Sequence, residues 1–323
     1  MKNLSVSREI VLLFVIVSMI LIISLRFPAF IKPENLLAVF NDSAPLMILA
    51  IAQMIVILTR CIDLSVAAIL ALTGMICAMV NVVFPELPII FIILTSIMTG
   101  LLLGAINGFF VWIIRIPPIV VTLGTMTIYR GLIFVISEGK WVNAHEMSDG
   151  FKAFPRYEFL NLPTLSWTAI IVIILFSFLL SRLPLGRVFY AVGGNPHASV
   201  YAGLNVGRTQ FFAFVLSGGL SGLVGYLWVS RYSVAYVDIA IGFELDVVAA
   251  CVIGGIAIMG GVGSLIGAVQ GALFLGIIKN ALPVINISPF WQMAISGSAI
   301  VTAVILNTKS NARKGRNILK QEE

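Results

Sequence analysis

Residues 88–114 read PIIFIILTSIMTGLLLGAINGFFVWII, and none of these twenty-seven residues carries an ionisable side chain. A helix needs roughly 20 consecutive apolar residues to cross the hydrocarbon layer of a bilayer. In lipid the backbone N–H and C=O groups must bond to one another, which a helix achieves within a single segment. The stretch therefore predicts a helix that spans a membrane.

The rest of the chain repeats this pattern, with short charged clusters between apolar runs. Only 11% of the 323 residues are charged and the mean hydropathy is +1.08, whereas a soluble domain averages about 25% charged residues. We predict an all-α, polytopic membrane protein in which residues 1–323 form one domain. Ten spans are predicted, with nine or eleven as alternatives: 10–25, 44–59, 64–84, 88–114, 118–137, 167–181, 210–229, 244–259, 264–282 and 290–306.

The distribution of basic residues predicts an orientation. The first span lacks the small-residue cleavage site of a secretory signal, so we interpret it as a membrane helix. If the N-terminus lies inside and ten spans alternate, the inside segments hold twelve Lys or Arg residues and the outside segments hold six. An excess of these residues marks the cytoplasmic side. Both termini, the basic tail 307–323 and the loop 182–208 are therefore predicted to be cytoplasmic.

Several classes of function are not indicated. The net charge of +6 does not suggest nucleic-acid binding, because the basic residues sit at the ends of the predicted spans. The three cysteines form no C-x-x-C pair that would indicate a disulfide or zinc framework. The glycine-rich stretch 260–264 lacks the Lys-Ser/Thr of a P-loop and predicts a tight turn. We expect no metal site, no catalytic set and no ATP hydrolysis by this chain.

The two halves of the chain resemble each other in two places. Asp63-Leu-Ser-Val-Ala-Ala-Ile-Leu-Ala-Leu-Thr-Gly74 resembles Glu244-Leu-Asp-Val-Val-Ala-Ala-Cys-Val-Ile-Gly-Gly255, and Gly104-Ala-Ile-Asn-Gly108 resembles Gly267-Ala-Val-Gln-Gly271. In the predicted topology the members of each pair run in opposite directions, as in the inverted repeats of many transporters. The alternative is chance similarity between short apolar strings.

The loop 182–208 contains the signals of a short helix. Asn195 suits the N-cap, Pro196 the first helical position, and Gly203 the position just past the end. The helix between them has less than two turns and is marginal in water unless something packs against it. Its Val200 and Tyr201 offer a small apolar surface. The packing partner is either another protein at the cytoplasmic face or the membrane domain of the chain itself.

Ionisable residues near membrane depth are costly and are candidates for function. Arg130 lies within the fifth span, Glu244 and Asp246 open the eighth, and Asp63 lies between the second and third. The alternatives are placement at the interface, a helix N-terminal charge, or an Arg130 side chain that reaches outward to water. Aromatic residues near the outer ends predict an interfacial belt, or a lining on which apolar sugar faces stack. The candidates for a transport path are Arg130, Asn107, Glu244, Asp246, Trp228 and Tyr232.

Six motifs occur in order along the chain: Asp63-Leu-Ser-Val, Gly104-Ala-Ile-Asn-Gly, Val121-Thr-Leu-Gly-Thr-Met-Thr-Ile-Tyr-Arg-Gly131, Gly186-Arg-Val-Phe-Tyr-Ala-Val-Gly-Gly-Asn195, Glu244-Leu-Asp-Val-Val-Ala-Ala-Cys-Val-Ile-Gly-Gly255 and Gly260-Gly-Val-Gly-Ser-Leu-Ile-Gly267. Together they resemble the permease subunits of bacterial ABC importers for monosaccharides. This family handles ribose, xylose and arabinose, and it also includes the rhamnose and autoinducer-2 permeases. The match covers roughly residues 40 to 300. Departures are small: Ala67 stands where the family often has glycine, and Ser199 where it often has alanine.

The resemblance implies a type II ABC importer-like fold and several partners. Two permease subunits, identical or not, would form a path across the bacterial inner membrane. An ATP-binding subunit would power it from the cytoplasm, and an extracytoplasmic sugar-binding protein would deliver the cargo. ATP would be bound by that subunit, so the permease would need no cofactor of its own. The residues that couple to the ATPase would be Asn195, Pro196, His197, Val200, Tyr201 and Gly203.

The implied cargo is a monosaccharide, pentose or hexose-like. Thr59-Arg-Cys-Ile-Asp63 and Gly139-Lys-Trp-Val-Asn143 resemble the rhamnose and autoinducer-2 branches most. The alternative function is an ion- or proton-coupled secondary sugar transporter. Such a protein would need carboxylates or unwound helices at mid-bilayer, and the sequence offers little of that kind beyond Arg130.

Overall fold

A computed structural model describes residues 8–284 and residues 291, 294, 297 and 298. Its secondary structure is helical apart from one short antiparallel hairpin, β1 (Glu158–Phe159) and β2 (Leu162–Pro163). Two 3-10 turns occupy Pro28–Ile31 and Phe154–Arg156. The α-helices are α1 (Arg8–Arg26), α2 (Pro33–Leu58), α3 (Val66–Val83), α4 (Ile89–Trp112), α5 (Pro118–Ser137), α6 (Asp149–Ala153), α7 (Thr164–Arg182), α8 (Pro184–Gly194), α9 (Pro196–Tyr201), α10 (Val206–Tyr232), α11 (Phe243–Ile253) and α12 (Leu265–Val284).

Eight helices in the described part of the chain are long and apolar enough to cross a membrane. They confirm the predicted all-α membrane architecture. The tenth predicted span, 290–306, and the tail 307–323 lie outside the described residues except at 291, 294, 297 and 298. The spanning helices are α1, α2, α3, α4, α5, α7, α10 and α12.

The second span is longer than predicted. Sequence analysis placed its start at residue 44, whereas α2 begins at Pro33 and contains Pro45 in its interior. A proline inside a helix cannot donate to the carbonyl four residues earlier, here that of Asn41. Arg231 Nη1 donates to that carbonyl at 3.0 Å instead. The helix therefore continues through a position at which the sequence predicts a boundary.

The eighth span is broken. Sequence analysis predicted a crossing over 244–259, but α11 ends after 11 residues at Ile253, which is about 16 Å of helix at 1.5 Å per residue. The chain then continues without helix to Ser264. Irregular backbone at membrane depth is tolerated where protein surrounds it. Here an added Cβ at Gly254 would lie 2.2 Å from the carbonyl oxygen of Gly267, so α12 packs directly on the break.

The bundle has two ends, which we name by the short helices that they carry. The α9 end holds α8, α9, the end of α2 and the turn at Gly260 and Gly261, whose N–H donates to Leu58 O at 3.0 Å. The α6 end holds α6, the hairpin and the start of α11. Arg130 of α5 reaches this end and donates to the carbonyl of Ile239, in the loop before α11. The α9 end is the predicted cytoplasmic side.

Glycines bring α4 and α10 into close contact along their length. A Cβ added at Gly104 would lie 2.3 Å from Phe214 O, and one added at Gly218 would lie 2.2 Å from Gly100 O. Ser96 Oγ also donates to Gly222 O at 2.6 Å. Small residues allow membrane helices to approach this closely. The pair forms part of the scaffold that positions the sites at both ends.

The repeated motifs run in opposite directions through the bundle. Asp63 precedes α3 at the α9 end, whereas Glu244 lies in the first turn of α11 at the α6 end. The two copies differ in form, because α3 is continuous over 18 residues and α11 stops after 11. They also differ in packing, since Gly104 faces α10 and Gly271 faces Ala250 of α11. The two copies therefore have opposite directions, as in an inverted repeat, but differ in their detailed contacts.

Candidate functional site

The short helix predicted in the loop 182–208 is present as α9. Asn195 Oδ1 accepts from the N–H of Ala198 at 3.0 Å, and Pro196 occupies the first helical position. Gly203 has a φ of +80°, and its N–H donates to Val200 O at 3.0 Å. The prediction of a capped helix with a glycine stop is confirmed.

One face of α9 lies on the bundle and the other is open. Ser199 is buried, whereas Val200 is 60% exposed and Tyr201 is 93% exposed. His197 is exposed as well. The helix contacts α8 and α10 of its own chain, which accounts for the buried face. That packing leaves Val200 and Tyr201 uncovered by the described part of the chain.

The segment that carries α9 is tied to the end of α2. Arg60 Nε donates to Gly193 O at 2.6 Å, and Arg60 Nη2 donates to Gly194 O at 2.9 Å. These carbonyls end α8, and a cation at a helix C-terminus is electrostatically favourable. Since α9 follows α8 after one residue, Arg60 connects the exposed helix to the core of the bundle.

The same junction includes the turn after the broken helix. A Cβ added at Gly193 would lie 1.6 Å from Leu58 O, and one added at Gly261 would lie 2.4 Å from Gly194 N. Tyr190 OH donates to the carbonyl of Gly263 at 3.1 Å. The tight turn predicted at 260–264 is therefore confirmed, and glycine is required because three backbone segments meet there.

Asp63 lies at the centre of a buried polar network beside this junction. Its carboxylate accepts from Ser65 N at 2.9 Å, Ser65 Oγ at 2.6 Å and Ser217 Oγ at 3.1 Å. With its amide oriented to suit these neighbours, Gln53 donates to Asp63 O at 3.0 Å and accepts from Asp63 N at 3.2 Å. The network joins α2, α3 and α10.

The structure shows the surroundings of Asp63. Its side chain is fully buried in the connection between α2 and α3, where it accepts from the N–H of Ser65 just before α3 begins, in line with the predicted charge at a helix N-terminus. Burial raises the pKa of Asp63, against the lowering effect of the hydrogen bonds from Ser65 and Ser217. Ser217, a neutral residue in the seventh span, gave no sequence signal of this role.

Asn107 belongs to the same network and not to the other path candidates. Its Nδ2 donates to Ser65 Oγ at 2.8 Å, and Tyr129 OH donates to the carbonyl of Leu103 at 2.9 Å beside it. Asn107 is fully buried. In this structure it links α4 to the Asp63 network and does not line an open path.

The other five path candidates lie together at the α6 end. Arg130 Nη1 donates to Ile239 O at 2.6 Å and to Val237 O at 3.2 Å, and Asp238 and Glu244 attract its charge. The guanidinium therefore reaches out of α5 to the loop before α11. This agrees with the outward-reaching alternative, although protein carbonyls rather than water receive the side chain.

Charged and aromatic side chains continue this cluster toward α12. Asp246 pairs with Lys279 at 2.5 Å, and the Lys279 ammonium lies 5.6 Å from the centre of the Phe243 ring. The Trp228 ring lies 4.9 Å from that of Phe243 and 5.4 Å from that of Tyr232. Sequence analysis missed Lys279, although a lone lysine inside the predicted span 264–282 was a visible signal.

The described residues contain no group of three His, Cys, Asp or Glu side chains that would hold a metal ion. The cysteines at 61, 77 and 251 are free and buried. Burial raises the pKa of Cys61, in the connection after α2, to about 12, so its thiol stays protonated near neutral pH.

Comparison with known proteins agrees with the prediction of a transport permease. The family model described as branched-chain amino acid transport system, permease component, matches residues 35–304. The chain is 35% identical over 301 residues to the ribose import permease protein RbsC of Haemophilus influenzae, covering 93% of each chain. It is 36% identical over 296 residues to RbsC of Bacillus subtilis, covering 91% of each. No solved structure matches the chain.

A third relative covers the whole chain. The autoinducer 2 import system permease protein LsrC of Salmonella typhi is 31% identical over 325 residues, which is 100% of this chain and 92% of the relative. All of these proteins are transport components rather than enzymes. The chain therefore belongs to the family of transport-system permease components that the matching model describes.

Proposed function

We propose that this chain is the transmembrane permease subunit of an ABC importer that moves a monosaccharide across the bacterial inner membrane. The observation that carries the proposal is α9, a capped helix that presents Val200 and Tyr201 away from the bundle. Relatives named for ribose import cover more than nine-tenths of the chain and support the sugar assignment. The α9 end is then the cytoplasmic end, and both termini lie in the cytoplasm.

The ATP-binding subunit is the proposed occupant of the exposed face of α9. Val200 and Tyr201 would enter a groove on it, while Asn195, Pro196 and Gly203 fix the ends of the helix and His197 lies at its exposed surface. ATP is bound and hydrolysed by that subunit, so the permease carries no cofactor. Movement of α9 would reach the bundle through α8 and Arg60, whose hydrogen bonds join α8 to the end of α2.

The α6 end is the proposed entrance for the cargo, delivered by an extracytoplasmic binding protein. The cluster of Arg130, Glu244, Asp246, Trp228 and Tyr232 combines aromatic rings with charged groups that already have protein partners. A neutral sugar suits such a site, because it stacks on aromatic faces and needs no counter-ion. Rhamnose or autoinducer-2 is our preferred cargo within this class, and the whole-chain autoinducer-2 relative supports it.

A second permease subunit, a copy or a sibling, is proposed to complete the path. Helix α5 has two positions, Gly124 and Gly131, at which an added Cβ would meet no atom within 4 Å. Ile128 between them is 58% exposed. Small residues on an open face suit close contact with another helix in the membrane. In this arrangement residues 1–323 act as one permease domain.

Transport in vesicles tests the proposal against its alternative, an ion- or proton-coupled transporter. The break after α11 gives that alternative the unwound helix that it needs. Right-side-out vesicles with the permease, the ATP-binding subunit, internal ATP and loaded binding protein should accumulate sugar in the presence of a protonophore, and should fail without ATP. Uptake that persists without ATP and collapses with the protonophore would overturn the ABC assignment.

A further inference from the structure

A cavity of about 490 Å³ opens at the α9 end, between the end of α4, the start of α5 and the start of α10. This volume falls within the range of about 300–1,000 Å³ typical of small-molecule sites. Its polar and aromatic lining comes from Arg60, Arg115, Trp112, Asn205, Gly207 and Gln210. The six coupling residues and the six path candidates are not among the lining residues, although Arg60, which ties α8 to the end of α2, is.

Two arginines line this cavity and no carboxylate does. No ion pair in the described part of the chain includes Arg60 or Arg115. Asp63 is nearby in sequence, but it is fully buried and accepts from Ser65 and Ser217. Within the described residues, the cavity therefore holds two positive charges without a carboxylate beside them.

The two arginines differ in how many donors remain free. Arg60 uses Nε and Nη2 to hold the carbonyls that end α8, which leaves Nη1 available and fixes the guanidinium in place. Arg115 makes no hydrogen bond to the described residues, so its whole guanidinium is available. A planar guanidinium binds phosphate through two parallel hydrogen bonds.

Other polar groups line the same space. Asn205 caps α10, its Oδ1 accepting from Arg208 N at 2.9 Å, so the positive end of a 27-residue helix lies beside the cavity. The Gln210 amide, which donates to Thr59 O at 3.2 Å, lines the wall between Arg60 and α10. At Gly207 an added Cβ would lie 2.3 Å from Trp112 Cδ1, so the glycine lets the indole close one side.

We propose that this cavity binds a phosphate group, held mainly by Arg115 and Arg60. The phosphate belongs either to an anionic lipid headgroup of the adjacent leaflet or to a soluble phosphate compound. Binding requires neither sugar nor the ATP-binding subunit. Its failure would therefore leave the proposed transport function unaffected.

The test uses the full-length permease purified in a neutral detergent at constant ionic strength. Binding is measured by thermal shift and calorimetry with three probes: inorganic phosphate, short-chain phosphatidylglycerol, and phosphatidylcholine of the same chain length. We expect phosphate or phosphatidylglycerol to bind and phosphatidylcholine to bind at least tenfold more weakly. Phosphatidylglycerol alone identifies a lipid site, and inorganic phosphate identifies a soluble ligand.

Matched variants locate the site. Arg115→Gln should weaken binding by about tenfold or more, because a hydrogen bond to a charged group is lost, while Arg115→Lys should retain part of the affinity. Arg182→Gln removes an exposed charge that does not line the cavity and should change nothing. The proposal is overturned if the wild type binds neither anionic probe, or if Arg115→Gln and Arg182→Gln weaken binding equally.

Discussion

Tyr201 keeps 93% of its surface in water, on a helix of six residues. Burying a large apolar side chain is worth about 1.5–3 kcal/mol relative to leaving it exposed. The fold does not gain this energy at Tyr201, and a partner that covers the side chain would. The adjacent Val200, 60% exposed, enlarges the same apolar surface.

Replacing Tyr201 by a charged residue should therefore break a partner contact without harming the fold. We expect Tyr201→Arg to insert in the membrane at normal levels and to lose transport, and Tyr201→Phe to transport normally. Copurification with the ATP-binding subunit and vesicle uptake measure the two effects. Normal copurification and uptake by Tyr201→Arg would show that α9 does not dock through this residue.

Asp63 differs from Tyr201 because its side chain is buried and accepts hydrogen bonds from neighbouring donors. Asp63→Ala would leave the N–H and hydroxyl of Ser65 and the hydroxyl of Ser217 without their acceptor. Each buried donor left unpaired costs about 1–3 kcal/mol. Asp63→Asn keeps one acceptor oxygen and should cost less.

Thermal unfolding in detergent checks this order of stabilities. We expect the midpoint to fall most for Asp63→Ala, less for Asp63→Asn, and not at all for Asp149→Ala, whose carboxylate is fully exposed. Equal midpoints for Asp63→Ala and Asp149→Ala would mean that the Asp63 network does not hold α2, α3 and α10 together.

Among the helices, the close contact between α4 and α10 depends on glycines, which have no side chains to separate the two backbones. A Cβ at Gly104 would lie 2.3 Å from a backbone oxygen of α10, which has no flexible end that can move aside. Gly124 on α5 provides a matched control, since an added Cβ there would meet nothing within 4 Å.

We expect Gly104→Ala to destabilise the protein by about 1–3 kcal/mol, the usual cost of overpacking. Gly124→Ala should be neutral or slightly stabilising in the isolated subunit, because alanine favours helix. The thermal-unfolding midpoints of the two variants, measured under the same conditions, test this order of stabilities. The packing interpretation is wrong if the two substitutions have the same effect.

Helix boundaries show where sequence reasoning succeeds and where it stops. The ends of α9 were predictable because an N-cap, a proline and a glycine act locally. The start of α2 was not predictable, because the Asn41 carbonyl freed by Pro45 accepts from Arg231, 190 residues away. The break after α11 was predictable only as an alternative, because the glycines that follow it also suit close packing between continuous helices.

The orientation of the whole molecule in the membrane is a further prediction, independent of the sites. Six arginines, at 8, 60, 115, 182, 187 and 208, lie at the α9 end of the described bundle, and basic residues favour the cytoplasmic side. A Tyr201→Cys variant places a thiol at a strongly exposed position of that end. The native cysteines are buried and should contribute little background.

We expect a membrane-impermeant maleimide to label Tyr201→Cys in inside-out vesicles and not in intact cells. A cysteine at Tyr157, which is 66% exposed at the α6 end, should show the reverse pattern. Labelling of Tyr201→Cys from the outside of intact cells would invert the topology and remove α9 from the reach of a cytoplasmic ATPase.

Membrane architecture was predictable from composition because lipid allows few solutions for the backbone. The sites were only partly predictable. Asn107 and Asp63 share a buried network since residues from four helices converge on it, and no spacing along the chain encodes that convergence. Lys279 was visible in the sequence, but its partner Asp246 lies in another span.

The break after α11 has a mechanical consequence. A continuous helix such as α3 moves as a stiff rod, because bending it ruptures bonds between successive turns. Past Ile253 the chain bends instead at glycines with left-handed backbone angles, namely Gly255, Gly260 and Gly261. If α11 shifts against α12 during transport, we expect these positions to rotate as a hinge does, so that neither helix has to unwind.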